Sequence, residues 1–197
     1  EVAQLIRSAV KKCVDNAAGL LTRDEAAIHA VFEGLVIGGI AMAYAGVSRP
    51  ASGVEHYFSH VWDMRGLEFG TKVDLHGIQC AMGTAKAVKL YEYVAKLRPD
   101  AEKAAGYVSD FDYNDWSNQL RDFLGSAADT MIALEAKEGK YNKSAHKARF
   151  DLIVENWDSI LQIIREELPT SEQFEKIMDT VGISTDLNML DVDSTCA

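Results

Sequence analysis

Apolar residues recur at intervals of three and four along most of the chain, the period of an amphipathic helix, and no segment sustains the alternation of a strand. The pattern predicts an all-α fold. Val2, Leu5, Ile6, Ala9, Val10, Cys13 and Val14 mark one stripe, which Gly19 and the pair Leu20 and Leu21 close. Thr22 and Glu25 have the capping-box spacing and predict a second helix over 26–44. From Leu35 onward that helix is apolar nearly all round, which predicts burial. Gly34, Gly38 and Gly39 each cost about 1 kcal/mol relative to alanine in a helix, so they predict a second backbone crossing close by. Ser48-Arg49-Pro50 stops this pattern. A helix over 52–64, a polar loop over 65–74 and a helix over 76–97 follow, the last ended by Arg98-Pro99. Further helices are predicted over 112–138, 144–167 and 170–181. Neither a fixed-period repeat nor a low-complexity tract is visible.

Composition narrows the function classes. With 197 residues, 48% hydrophobic and 25% charged, the chain is expected to form a single domain over 1–197 with one sizeable core, or two tightly packed helical lobes. Thirty acidic against 20 basic residues give a net charge of -10, which repels a phosphate backbone and argues against a nucleic-acid partner. The longest apolar run, 35–45, is interrupted by Gly38 and Gly39 and falls short of the ~18 residues of a membrane span, so no membrane partner is expected. Cys13, Cys80 and Cys196 are an odd number without CxxC spacing, which implies neither a disulfide framework nor a thiolate zinc site and suits a reducing cytoplasm. The sequon Asn142-Lys143-Ser144 lacks a signal peptide and reads as chance. Glu1 stands where an initiator methionine would be, inside an apparent helix, so the chain is expected to be a fragment.

The chemistry concentrates in histidines. Of five, His56, His60 and His76 fall within 21 residues. His56 and His60 are four apart and share a helix face, the spacing that lets two imidazoles approach one ion. By spacing alone, such a pair is more often ordinary helix surface or core. Metalloprotease chemistry of the HExxH type is set aside, because Tyr57 follows His56 and Glu55 precedes it. His76 opens a helix ahead of Gly77, where the positive end of the dipole opposes an imidazolium and suits a neutral ligand; the same N–H groups attract anions.

Ser48-Arg49-Pro50-Ala51-Ser52-Gly53-Val54-Glu55-His56-Tyr57-Phe58-Ser59-His60 and Leu75-His76-Gly77 resemble the SRPASGxEHxxSH and HG motifs of the sn-glycerol-1-phosphate dehydrogenases. These belong to the iron-dependent alcohol dehydrogenase and dehydroquinate synthase-like superfamily. The similarity extends over most of the chain in helix order, with its motifs confined to 48–84. It implies a multi-helix metal- and substrate-holding C-terminal domain without the Rossmann-like half. It also implies a divalent metal, zinc, nickel or iron, held by an aspartate and two histidines that match His56 and His76. By the wider superfamily, His60 faces the substrate beside the metal as a catalytic group. No aspartate motif precedes Ser48, so the third ligand is expected to be missing. NAD or NADP is expected to bind through the missing half, and the chain alone to be inactive. The implied reaction interconverts dihydroxyacetone phosphate and sn-glycerol-1-phosphate. The alternatives are a glycerol dehydrogenase-like or dehydroquinate synthase-like domain, or a catalytically silent helical module. The implied partner is a small phosphorylated substrate, with self-association into a homo-oligomer and a cytoplasmic location.

Arg49 is placed to neutralise a substrate phosphate, though an Arg before Pro is as often a surface anchor. Ser52 is a second substrate candidate, and capping the helix that carries His56 is reason enough for a serine there. His29 and His146 lie outside the motif and read as packed or solvated helix residues. Trp116, Phe123, Phe150 and Trp157 fall at helical intervals and read as core.

Overall fold

Ten α-helices joined by short loops and 3-10 turns account for the structure, a computed structural model that describes residues 1–186, and no strand occurs among the described residues. Cys196 lies outside them. The chain divides into two compact units. The first contains α1 (Val2–Asp15), α2 (Glu25–Ala45), the start of α3 (Val54–Phe69) as far as His60, α4 (His76–Val94) as far as Lys89, and α10 (Ser171–Thr180). The second holds the remainder of α3 and α4 with α5 (Ala101–Asp110), α6 (Tyr113–Leu124), α7 (Ala128–Glu138), α8 (His146–Glu155) and α9 (Trp157–Glu167).

In the first unit α1 packs along α2, and α10 packs against the 3-10 turn Ala17–Gly19. The α2 start differs from the expected capping box. Asp24, rather than Thr22, accepts the Ala27 N–H at 3.0 Å, and Thr22 instead donates to the Gly19 carbonyl. A carboxylate one residue before the helix satisfies a free N–H and complements the positive end of the dipole. At the other end Gly46, at φ 66°, adopts the left-handed conformation and donates to Met42 O, ending α2 before Ser48 is reached. The glycines of α2 divide. A Cβ on Gly34 would stand 2.6 Å from Cys13 Sγ, so the expected close approach exists there, whereas Gly38 and Gly39 face open space.

Burial of α2 was expected, and the structure corrects this. Only Ala27, Ala30 and Ala41 are buried on it, while Phe32 and Leu35 are 67% and 72% exposed. The reason is that α1 approaches the side carrying the small residues, where Cys13 meets Gly34 and contacts the Ala30 carbonyl. The expectation about membrane-spanning length is also corrected. Glycines do not interrupt an apolar helix, and α2 is long and apolar enough to cross a membrane by length and composition. A helix covered by protein meets the same two criteria, so they assign no membrane.

In the second unit α6 packs on α7 and α5 on α8. The helix expected over 112–138 is broken at Gly125, whose φ of 57° with ψ of -129° is outside the range of other residues, and the one over 144–167 is broken at Asn156. The α5 helix was not foreseen; Asp100 caps it by accepting the Lys103 N–H. The aromatic set does not form the core. Trp116 is half-buried beside Tyr113 and Tyr141, Phe123 lies 4.5 Å beneath the Arg65 guanidinium, and Phe150 stacks on His146. Trp157 is likewise half-buried, and the largest fully buried side chains are Met82, Leu124, Gln79 and Ser59.

Candidate metal centre

Two helix starts bring the histidines together. Val54 begins α3, so Gly53 takes the flanking position and Ser52 lies one residue too early to cap. The Gly53 N–H donates to Glu55 Oε1 at 2.8 Å, a carboxylate of the first turn reaching back to the free backbone end. Leu75 precedes α4, its carbonyl accepting the Ile78 and Gln79 N–H groups, which makes His76 the first helical residue. The two helices meet tightly. A Cβ on Gly83 would stand 2.6 Å from the Glu55 carbonyl oxygen and 3.2 Å from Phe58 Cβ, so only glycine lets α4 lie this close to the first turn of α3.

The close approach brings the imidazoles together. The rings of His56 and His76 lie 5.0 Å apart between centroids, edge to face, and His60 lies 6.0 Å from the first and 5.9 Å from the second. His56 is half-buried; His60 and His76 are exposed. His56 Nδ1 lies 2.8 Å from Glu55 Oε1. Burial works to raise the Glu55 pKa, but the hydrogen bonds from the Gly53 N–H and the His56 ring outweigh it and hold the carboxyl below its ordinary range. An ionised carboxylate only accepts, so His56 donates through Nδ1, and Nε2 is the ring nitrogen left for an ion. This is the carboxylate–histidine arrangement found behind metal ligands. His76 has a partner at the same ring position, its Nδ1 lying 2.9 Å from the buried Ser59 hydroxyl, which also accepts from Gln79 Nε2. Its Nε2 faces Cys80 Sγ at 3.5 Å.

One ring nitrogen of His56, one of His76 and the Cys80 sulfur all lie within 4.8 Å of one another. Imidazole nitrogens of this kind suit zinc, nickel and iron, so the residues present fit a divalent ion. For an ion held here, Glu55→Gln is expected to weaken binding about tenfold without unfolding the chain, because it removes the charge that fixes the His56 ring. Competition with a chelating dye measures this, and an unchanged affinity would show that Glu55 does not set the ligand's orientation.

His56, His60 and His76 are thus neighbours, with ring centroids 5.0–6.0 Å apart. Arg49 is exposed and Ser52 half-exposed on the segment leading into α3. His29 is a solvated helix residue beside Glu33, and His146 stacks on Phe150. Attention to CxxC spacing passed over Cys80; its position four residues after His76 on one helix was the available signal.

No protein-family model matches the chain, and no solved structure matches it. Among curated proteins it is 32% identical over 105 residues to a glycerol-1-phosphate dehydrogenase [NAD(P)+] of Halalkalibacterium halodurans, covering 53% of this chain and 26% of the relative. The same enzyme of Korarchaeum cryptofilum is 46% identical over 74 residues, 38% of this chain and 24% of the relative. That of Methanosarcina mazei is 40% identical over 89 residues, 45% and 24% of the two chains. The chain therefore spans about a quarter of the length of the curated relatives it matches. Over as much as half of its own length it is similar to glycerol-1-phosphate dehydrogenases, the family that residues 48–60 and 75–77 resemble.

Proposed function

We propose that the chain is the helical metal- and substrate-holding domain of an NAD(P)-dependent glycerol-1-phosphate dehydrogenase that interconverts dihydroxyacetone phosphate and sn-glycerol-1-phosphate. The observation that carries this is the meeting of three imidazole rings 5.0–6.0 Å apart, two of them oriented by hydrogen bonds, in a chain similar to such enzymes. His56 and His76 hold the divalent ion, which is zinc, nickel or iron. When bound, that ion supplies Lewis-acid polarisation of the substrate's C2 oxygen. Glu55 and Ser59 are positioning residues that present Nε2 of each ligand. His60 contacts the substrate beside the ion and exchanges its proton, while Arg49 and Ser52, on the segment that enters α3, receive the phosphate. No residue of this chain is assigned to the nicotinamide; its binding is assigned to the part of the relatives' length that the chain does not match.

The test is oxidation of NADH or NADPH by the intact protein in the presence of dihydroxyacetone phosphate, repeated with His60→Ala. Turnover in the variant is expected to fall about 10²–10⁴-fold, the contribution of a positioned general acid–base, with bound metal unchanged. Loss of the metal from His60→Ala would make His60 a ligand instead. Turnover of glycerol in preference to the phosphate ester would point to the glycerol dehydrogenase alternative.

A further inference from the structure

We propose that Cys80, as a thiolate, is a third protein donor to the ion held by His56 and His76. This rests on the assignment of those two histidines as ligands, and it adds a third donor beside the two imidazoles. His76 and Cys80 are four residues apart on α4 and so lie on one face, a turn apart. The orientation of His76 is decisive: Ser59 engages Nδ1, leaving Nε2 turned toward Cys80 Sγ at 3.5 Å. Around a tetrahedral ion with nitrogen at ~2.0–2.1 Å and sulfur at ~2.3 Å, donors stand roughly 3.3–3.8 Å from one another. The His76–Cys80 pair is already at that separation. The widest separation among the three donors is within 4.8 Å, and rotation of the side chains by about 1 Å closes the remaining gap.

Rival third donors are less well placed. Glu55 Oε1 is engaged by the His56 ring and the Gly53 N–H, and Glu55 is not among the donors that lie within 4.8 Å of one another. The His60 ring stands 6.0 and 5.9 Å from the other two rings, and its nitrogens are not among the donor atoms that lie within 4.8 Å of one another. Gly83 holds α4 against the Glu55 backbone, so Cys80, one turn before it, is kept beside the histidines by the helix packing itself. A thiolate adds a negative charge and a soft donor to the site, which favours zinc over harder ions such as magnesium or manganese.

Anaerobic titration of the intact protein with cobalt(II), followed by absorption, tests this in wild type, Cys80→Ser, Cys13→Ser and His56→Ala. Wild type and Cys13→Ser are expected to show a near-ultraviolet thiolate-to-cobalt charge-transfer band that saturates with the visible cobalt bands. Cys80→Ser is expected to keep visible bands but lose the charge-transfer band, with affinity lowered on the order of 10²-fold, the share of one donor. His56→Ala is expected to abolish both. Cobalt binding in wild type without the thiolate band, or a band that survives in Cys80→Ser, would overturn the role of Cys80 while leaving the two histidines as ligands. A wild-type protein that takes up no cobalt, or a His56→Ala variant that binds it unchanged, would overturn both.

Discussion

His76→Ala is expected to lower affinity for zinc by about 10²–10³-fold and to reduce dihydroxyacetone phosphate turnover to background. The magnitude follows from zinc held by four donors at roughly 10–16 kcal/mol, or about 2.5–4 kcal/mol for each donor lost. His76 should show the full effect because its loss also leaves the buried Ser59 hydroxyl without its ring partner and Cys80 without its neighbour on α4. The helix itself should persist, since Leu75 O still accepts the first N–H groups and alanine is a good helix former. Metal content after gel filtration, with circular dichroism on the same samples, separates the two effects. Unchanged metal content in a folded His76→Ala protein would remove His76 from the ligand set.

Met82→Ala is expected to destabilise the unit that carries the histidines by about 2–5 kcal/mol, the range for emptying a fully enclosed methionine site. Met82 is 0% exposed and lies on α4 two residues after Cys80 and next to Gly83, so the cavity would open beside the surface that presses α4 against α3. Met82→Leu keeps the volume and should cost less than about 1.5 kcal/mol. Denaturant unfolding of the intact protein measures both, and metal affinity should weaken in Met82→Ala more than in Met82→Leu. Equal stabilities of the two variants would show that volume at this position is not what keeps the helices together.

The helical class was legible because the three-to-four period persists through every long segment, and Pro50 and Pro99 marked the neighbourhood of two helix stops, although α2 ends at the left-handed Gly46 and α4 at Val94, before either proline. Breaks were harder to see where they depend on backbone geometry rather than residue type. Gly125 interrupts the predicted 112–138 helix by taking a positive φ, whereas Gly38 and Gly39 sit inside α2 without any break; glycine permits both outcomes and the neighbouring packing chooses. The burial of α2 could not be read from its apolarity, since a helix that is apolar all round does not say which of its faces meets a partner. In the structure α1 takes the small-residue side, and Phe32 and Leu35 remain exposed.

Of the candidate site, the sequence by itself determined the residue types and their helical phase: an imidazole pair at i,i+4, an acid immediately before it, and a third histidine at a helix start. Those are local properties, set by 3.6 residues per turn and by capping. Only the tertiary structure decided which nitrogens remain free and which other atom meets them. That required α4 to cross α3 at Gly83, a contact between positions 28 residues apart (83 − 55) that no local pattern encodes. The same crossing sets Ser59 against His76 and brings Cys80 toward the two histidines. A cysteine without CxxC spacing becomes a candidate donor because the path of the chain, rather than its neighbours in sequence, places the sulfur there.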